Sequence, residues 1–401
     1  KNSVGKNSQR VGLLDGAHWP GFRGDGSSLT AAKNLPRKWV DKDVKWAQNL
    51  EGYGQSSPVV FNGRVFVTTV IGENKESLGV HCYDLKTGQN AWSKTVDNSN
   101  QQKISNYISK GTPTPCVDEH GIYCFFETGQ LLLIDHDGEI QWQRSLTKEY
   151  GDFQGNHGVG TSLVQSSDHL VLLIDHSADG YLLKLNKKTG ENSWKIDREK
   201  RVSWSTPVID VSVSPNQIVI SSNGIVEGVS FKNGRQLWSY LGVEKNTIPS
   251  ATVTRDLILV GSSVKPSSIA LPRDKAGSIA KDQVSWTAEN ATSSISSPLV
   301  VGENVYYVSR AGVLSCNDLK TGKQLWDHRL PASCWATPVG VGETIYCFCK
   351  EGSTVVMNNE RSGPVELAKS KLDIEGPVYG VAVVDGAIVM RTGNRLLALL
   401  N

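Results

Sequence analysis

No stretch of this chain approaches the ~18 to 20 uninterrupted apolar residues that cross a bilayer as a helix, so no helical membrane span is expected. Lys1 and the polar run behind it do not have the build of a secretory signal either. Charge of one sign is also missing. With 42 Lys plus Arg against 40 Asp plus Glu, a net +2 without a basic stripe sets up no field that would hold a phosphate backbone, and nucleic acid is excluded as an expected partner. Methionine occurs twice, and no window carries apolar residues at helical spacing over four turns. The signatures G-x-S-x-G, H-E-x-x-H and G-x-x-x-x-G-K-S/T are absent, which removes the motif-based grounds for a hydrolase, a zinc protease or a P-loop enzyme. No catalytic residue is assigned.

Cysteine is present in an odd number, seven. Cys347 and Cys349 are too close along one strand to bond each other without distorting it. Cys82, Cys116, Cys124, Cys316 and Cys334 sit inside apolar strand patterns. Buried, reduced thiols are therefore expected.

What the chain does have is glycine, tryptophan and a repeat. Its 39 Gly and 11 Trp punctuate short apolar runs, the pattern of many strands and turns. Five segments share one form: YDLKTGQNAW, IDHDGEIQW, LNKKTGENSW, SFKNGRQLW and NDLKTGKQLW. In each a Gly stands four residues before a Trp: Gly88 and Trp92, Gly138 and Trp142, Gly190 and Trp194, Gly234 and Trp238, Gly322 and Trp326. Such a turn needs a positive φ, which Gly supplies, while Asp84, Asp135, Asn186 or Asp318 bonds the turn backbone. The Trp falls on the last strand of the unit, where it can wedge between neighbouring sheets and bury ~150 to 250 Å². Asp135-His136-Asp137 belongs to one of these turns, so no metal site is expected there.

A second element opens each unit: Ser57-Pro58, Thr114-Pro115, Ser162-Leu163, Thr206-Pro207, Ser250-Ala251, Ser297-Pro298, Thr337-Pro338 and Gly380-Val381. Eight openings between 57 and 380 give a mean repeat of about 46 residues, room for the four strands of a propeller blade. The expected fold is all-β, an eight-bladed propeller of four-stranded antiparallel blades. Residues 38–401 would form one propeller domain, with 1–37 a polar N-terminal segment and lead-in. The fifth unit keeps Trp286 but has Asp282 in the Gly position, and the seventh has Leu367 in the Trp position; both hairpins should be looser. After Gly380 the chain has room for three strands, at about 380–384, 387–391 and 395–400. Trp46 precedes Ser57 by the spacing that separates Trp326 from Thr337, so the N-terminal strand is expected to supply the missing outer strand and close the ring.

The D-x-x-T-G-x-x-x-W hairpins resemble the PQQ-like β-propeller repeat family over about 44–400. That family includes quinoprotein alcohol dehydrogenases and the BamB-type outer-membrane assembly lipoproteins. WPGFRGDG at 19–26 resembles the segment that opens many exported bacterial members. The dehydrogenases carry two adjacent cysteines against the quinone, and their haem-bearing relatives carry C-x-x-C-H; this chain has neither, nor a convincing Ca²⁺ set. The resemblance thus implies no cofactor and argues against PQQ. It implies an exported, periplasmic, monomeric scaffold for a protein or peptide partner, with membrane association left open. The alternative is a quinone or carbohydrate ligand at the channel mouth, including a diverged PQQ-dependent dehydrogenase.

A site is expected on the face holding the loops that enter each inner strand, because the chain spends its extra length there. The step from Trp92 to Thr114 is 22 residues and that from Trp142 to Ser162 is 20, against 11 or 12 in most units. Around that mouth the sequence places Tyr53, Gln55, Tyr107, Lys110, His157, Trp204, Trp335 and Tyr379 as ligand- or partner-binding candidates, since rings at a channel mouth stack on planar ligands or anchor a peptide.

Overall fold

The computed structural model describes residues 14–101 and 109–401. They form eight antiparallel four-stranded sheets arranged as a closed ring. Blade 1 runs Val59–Phe61, Arg64–Ile71, Ser77–Asp84 and Asn90–Asp97 from the axis outward. The same order repeats through blades 2 to 7, whose innermost strands are Cys116–Asp118, Val164–Gln165, Val208–Asp210, Thr252–Val253, Leu299–Val301 and Val339–Val341. In blade 8 the strands Gly380–Val384, Ala387–Arg391 and Arg395–Leu400 are completed by Val44–Asn49, which pairs antiparallel with the last of them. The ring closes as the position of Trp46 implied. The single α-helix among the described residues is Leu146–Tyr150.

Two ladders of contacts between blades explain the repeated residues. At the periphery, the repeat's Trp indoles other than Trp238 reach the hairpin of the next blade. Trp46 Nε1 donates to Leu85 O at 2.9 Å, Trp92 to His136 O at 2.9 Å, Trp142 to Lys187 O at 2.9 Å, Trp194 to Phe231 O at 3.3 Å and Trp286 to Leu319 O at 2.9 Å. The ring lies on that hairpin's glycine. A Cβ at Gly190 would stand 2.7 Å from Trp142 Cδ2, and one at Gly88 would stand 2.5 Å from Trp46 Cδ2. These glycines are therefore required twice, for φ near +71° and for the neighbouring indole.

Near the axis, each opening residue's backbone N–H donates to the hydroxyl of the next opening: Ser57 to Thr114 at 2.9 Å, Thr114 to Ser162 at 3.0 Å, Ser162 to Thr206 at 3.0 Å, Thr206 to Ser250 at 2.9 Å, Ser250 to Ser297 at 2.9 Å and Ser297 to Thr337 at 3.0 Å. Ser or Thr recurs because it satisfies a buried N–H of the preceding blade. Gly380 interrupts the series because a Cβ there would fall 2.2 Å from Ser57 Oγ.

The two irregular units are not loosened in the way the missing Gly and Trp suggested. In blade 5 the chain ahead of Trp286 crosses to its neighbour, and Gly277–Ile279 pairs in parallel with the outer strand Gln236–Leu241 of blade 4. Trp238 consequently turns inward and donates to Gln217 Oε1 at 2.7 Å. In blade 7, Glu360 O still accepts from Trp326 Nε1 at 2.8 Å, and Asn359 and Arg361 bind the hairpin to blade 6.

Residues 14–39 form a strap, packed onto the ring. Trp19 and Val60 exchange backbone hydrogen bonds at 2.8 and 2.9 Å, Val117 N donates to Pro20 O at 2.9 Å, and Leu29–Thr30 pairs in parallel with Val339–Val341. Arg23 donates to Ala251 O at 3.1 Å, Thr252 Oγ1 at 2.7 Å and Pro298 O at 3.2 Å. A segment bonded to blades 1 and 2 at Trp19-Pro20 and to blades 5 and 6 at Arg23 has crossed the axis. It closes the channel at the end opposite the long loops. Burial lowers the Arg23 pKa to about 10, and its hydrogen bonds all run to neutral oxygens.

Candidate functional site

The loop-face mouth is built by the segments entering the inner strands and by the loops between second and third strands. Tyr53 is held by paired backbone hydrogen bonds with Val70 at 2.9 and 2.8 Å. Its ring lies so close to Gly393 that a Cβ there would come 2.0 Å from Tyr53 Cε2. This backbone placement carries the Tyr53 hydroxyl to 2.7 Å from that of Tyr379. The two rings meet edge to face at 6.2 Å, and Trp335 lies 5.3 Å from Tyr379. Lys110 stands 5.3 Å above Tyr53 and Lys350 stands 5.7 Å above Trp335. Tyr53, Trp335, Tyr379 and both lysines are half-buried.

Arg391 lies under this cluster, 0% exposed. It donates to Ser56 Oγ at 2.5 Å and Thr68 O at 2.7 Å, both neutral. Burial lowers its pKa to about 9. Gly54 makes room for it, since a Cβ there would lie 2.2 Å from Arg391 Nη2. Burial, then the hydrogen bond with Tyr379, raises the Tyr53 pKa, so the Tyr53 phenol stays neutral at physiological pH. None of Lys110, Lys350 and Arg391 has a carboxylate within 4.0 Å among the described residues. The mouth therefore offers three aromatic faces and a positive field in a partly desolvated setting, suited to holding a group that is planar or anionic.

The sequence-derived candidates divide into two groups. Tyr53, Lys110, Trp335 and Tyr379 come together as one cluster. Gln55 joins it as a positioning residue: its Oε1 accepts from Lys110 N at 3.0 Å and Thr112 Oγ1 at 2.8 Å, tying the entry loops of blades 1 and 2. His157 and Trp204 form a second pair across blades 3 and 4, with ring centroids 5.8 Å apart, and Trp204 Nε1 donates to Gly158 O at 2.8 Å. Tyr107 lies outside the described residues. Lys350 and Arg391 were missed by reading entry loops alone. Both stand at the end of a blade's second strand, the position whose loop opens on the same face, and that spacing was the available signal.

The long connections are anchored from below. Lys75 Nζ donates to Glu127 Oε1 and to Ser109 O, each at 2.8 Å, with both charged side chains fully buried. Glu127 Oε1 also accepts from Gly111 N at 2.8 Å. Removing one partner of such a pair leaves an uncompensated buried charge, so the turn at Lys75, between the second and third strands of blade 1, is tied to Ser109–Gly111 and to Glu127 of blade 2.

Fold, hairpin repeat and ring closure make the protein an eight-bladed propeller of the PQQ-like, quinoprotein-like class. The family described as outer membrane protein assembly factor BamB matches residues 38–156, 129–354 and 275–399, and the chain belongs to it. The outer membrane protein assembly factor BamB of Shewanella oneidensis is 22% identical over 297 residues, 73% of this chain and 67% of that protein. The crystal structure of BamB from Moraxella catarrhalis is similar with a TM-score of 0.64 at 13% identity, covering 88% of this chain and 96% of that one. A europium-containing methanol dehydrogenase is similar with a TM-score of 0.65 at 10% identity, covering 95% and 91%. At these identities the two structures speak for the fold alone.

Proposed function

We propose that this chain is a non-catalytic, exported, monomeric binding propeller that engages a protein or peptide through its loop face. The observation that carries this reading is the contrast between the two ends of the channel. The strap seals one, and the other presents Tyr53, Trp335 and Tyr379 with Lys110 and Lys350 over their rings. Rings with fixed geometry and few rotatable bonds are efficient anchors for a partner segment, and flanking lysines favour a segment that carries carboxylates. The names of the relatives support a role in assembly at an outer membrane, which is proposed here as the setting. On this reading the sealed end and the outer hairpins serve stability.

A quinone or carbohydrate ligand at the same mouth is the second reading, favoured by the similarity in fold to a methanol dehydrogenase. Among the described residues no three His, Cys, Asp or Glu side chains group so as to hold a metal ion.

The test compares wild type, the double variant W335A/Y379A and the hairpin-face control K188E in cross-linking from an envelope extract, with thermal shift against PQQ and an oligosaccharide panel alongside. The binding reading requires partners that are lost in W335A/Y379A and kept in K188E. Identical partner sets in all three would refute it, and a thermal shift with one small ligand would favour the second reading.

A further inference from the structure

The thiols of Cys334 and Cys349 lie 3.9 Å apart, and both are buried. Cys334 belongs to the loop entering the inner strand of blade 7, and Cys349 follows the second strand, Thr344–Phe348, of the same blade. The hydrogen bond from Lys350 N to Ser333 O, 2.9 Å, sets these two backbones side by side. Stepping one residue toward each other from that bond brings Cys334 opposite Cys349, the arrangement in which facing Cα atoms are about 4.5 to 5.5 Å apart and within the span a disulfide bridges. Each cysteine also immediately precedes a residue of the mouth: Trp335 after Cys334, and Lys350 after Cys349, the pair in cation–π contact at 5.7 Å.

We infer that Cys334 and Cys349 form a redox-active dithiol, which closes to a disulfide and pins the Trp335–Lys350 side of the loop face. The step balances with a disulfide-carrying oxidant, either a protein dithiol oxidase or a small-molecule disulfide. One cysteine thiolate attacks the oxidant, forming a mixed disulfide and releasing one thiolate. The second cysteine, deprotonated, then attacks the protein-side sulfur and releases the other. Two protein thiols lose two protons and two electrons, and one oxidant disulfide becomes two thiols.

The two thiols contact each other directly, 3.9 Å apart. The Cys334 thiol donates to the Cys349 sulfur, and Ala332 N–H is directed at the same sulfur, which together lower the Cys349 pKa. Cys334 is raised by the same contact and by burial. Both groups are buried, so exchange takes place during folding or through opening of the blade 7 entry loop. Cys347 competes poorly. It lies on the strand Thr344–Phe348, two residues before Cys349, and is pushed well above the usual thiol range by burial.

The test refolds the full chain across a series of oxidised to reduced glutathione ratios, blocks free thiols, and maps the peptides. The expected result is the loss of two alkylatable thiols of the seven and one cross-linked pair, 334 with 349, unchanged in C347A and abolished in C349S. Seven free thiols throughout, or a cross-link through Cys347 or any other cysteine, overturns the inference. Because C349S can also disturb packing, a second measurement uses fluorotryptophan and ¹⁹F NMR on the wild-type chain. The signal assigned by W335F should shift between reduced and oxidised protein while that assigned by W204F stays in place. An unmoved Trp335 signal in fully cross-linked protein overturns the pinning of the mouth. Neither result depends on which partner the loop face binds.

Discussion

Gly190 carries two demands at once, and they can be separated. Its φ is +71°, and a Cβ placed there would lie 2.7 Å from both Cδ2 and Cε3 of Trp142 in the preceding blade. Gly63 has nearly the same backbone, φ +73°, yet its Cβ would meet nothing within 4 Å. Alanine at Gly63 should therefore cost only the left-handed penalty, about 1 to 2 kcal/mol. Alanine at Gly190 adds an overpacking term of about 1 to 3 kcal/mol, because the indole is held by its bond to Lys187 O and cannot slide freely. Urea unfolding, with midpoint and slope compared among wild type, G63A, G190A, W142L and W142L/G190A, measures the difference. In the W142L background the cost of G190A should fall to the level of G63A, a coupling that two distant residues would not show. Equal costs for G63A and G190A, or full additivity of W142L and G190A, would refute the claim that the repeat's glycines exist for the neighbouring blade's tryptophan.

Other outcomes follow from the same contacts. Deleting residues 38–50 removes the closing strand with Trp46 and should lower the melting temperature of the whole ring rather than free one blade; an unchanged melt would refute closure. Arg23→Met leaves Ala251 O without its donor, while Pro298 O keeps the bond from Thr252 Oγ1, and should cost about 1 to 3 kcal/mol, with faster proteolysis within 14–39 as the local readout. His81 is bonded to Thr69 Oγ1 and Ser93 Oγ, and burial, with Arg391 nearby, lowers its pKa to about 4. The unfolded chain binds this proton near pH 6.5 and the folded chain does not. The stabilisation is therefore complete above pH 6.5 and is lost as pH falls toward 4, by about 3 kcal/mol over that window. H81N should flatten that part of the stability profile, and an unaltered profile would show that His81 is not its source.

Much of the architecture was legible in the chain because it is written in local spacing. A Gly four residues before a Trp specifies a turn and the strand after it in five units, and eight openings spaced about 46 residues apart with three strands left at the C-terminus imply a ring closed by Val44–Asn49. The candidates at Tyr53, Lys110, Trp335 and Tyr379 were reachable for the same reason, since each lies within four residues ahead of an opening residue, on the loop that enters an inner strand. Tertiary structure alone decided which residues meet across blades. Each indole was expected to wedge between sheets, but only the closed ring paired Trp142 with Gly190 rather than with its own Gly138, and made Thr114 the acceptor for Ser57. The strap was equally hidden. Residues 14–37 have no blade periodicity, and Arg23 has meaning only once strands from blades 5 and 6 bring Ala251 and Pro298 to the same point on the axis. Arg391 beneath the tyrosines and the facing thiols of Cys334 and Cys349 arise likewise from loops far apart in local pattern and adjacent in the ring. Sequence spacing specifies strands and turns through short-range geometry, whereas contacts between blades depend on the angle at which the closed circle sets each sheet against the next.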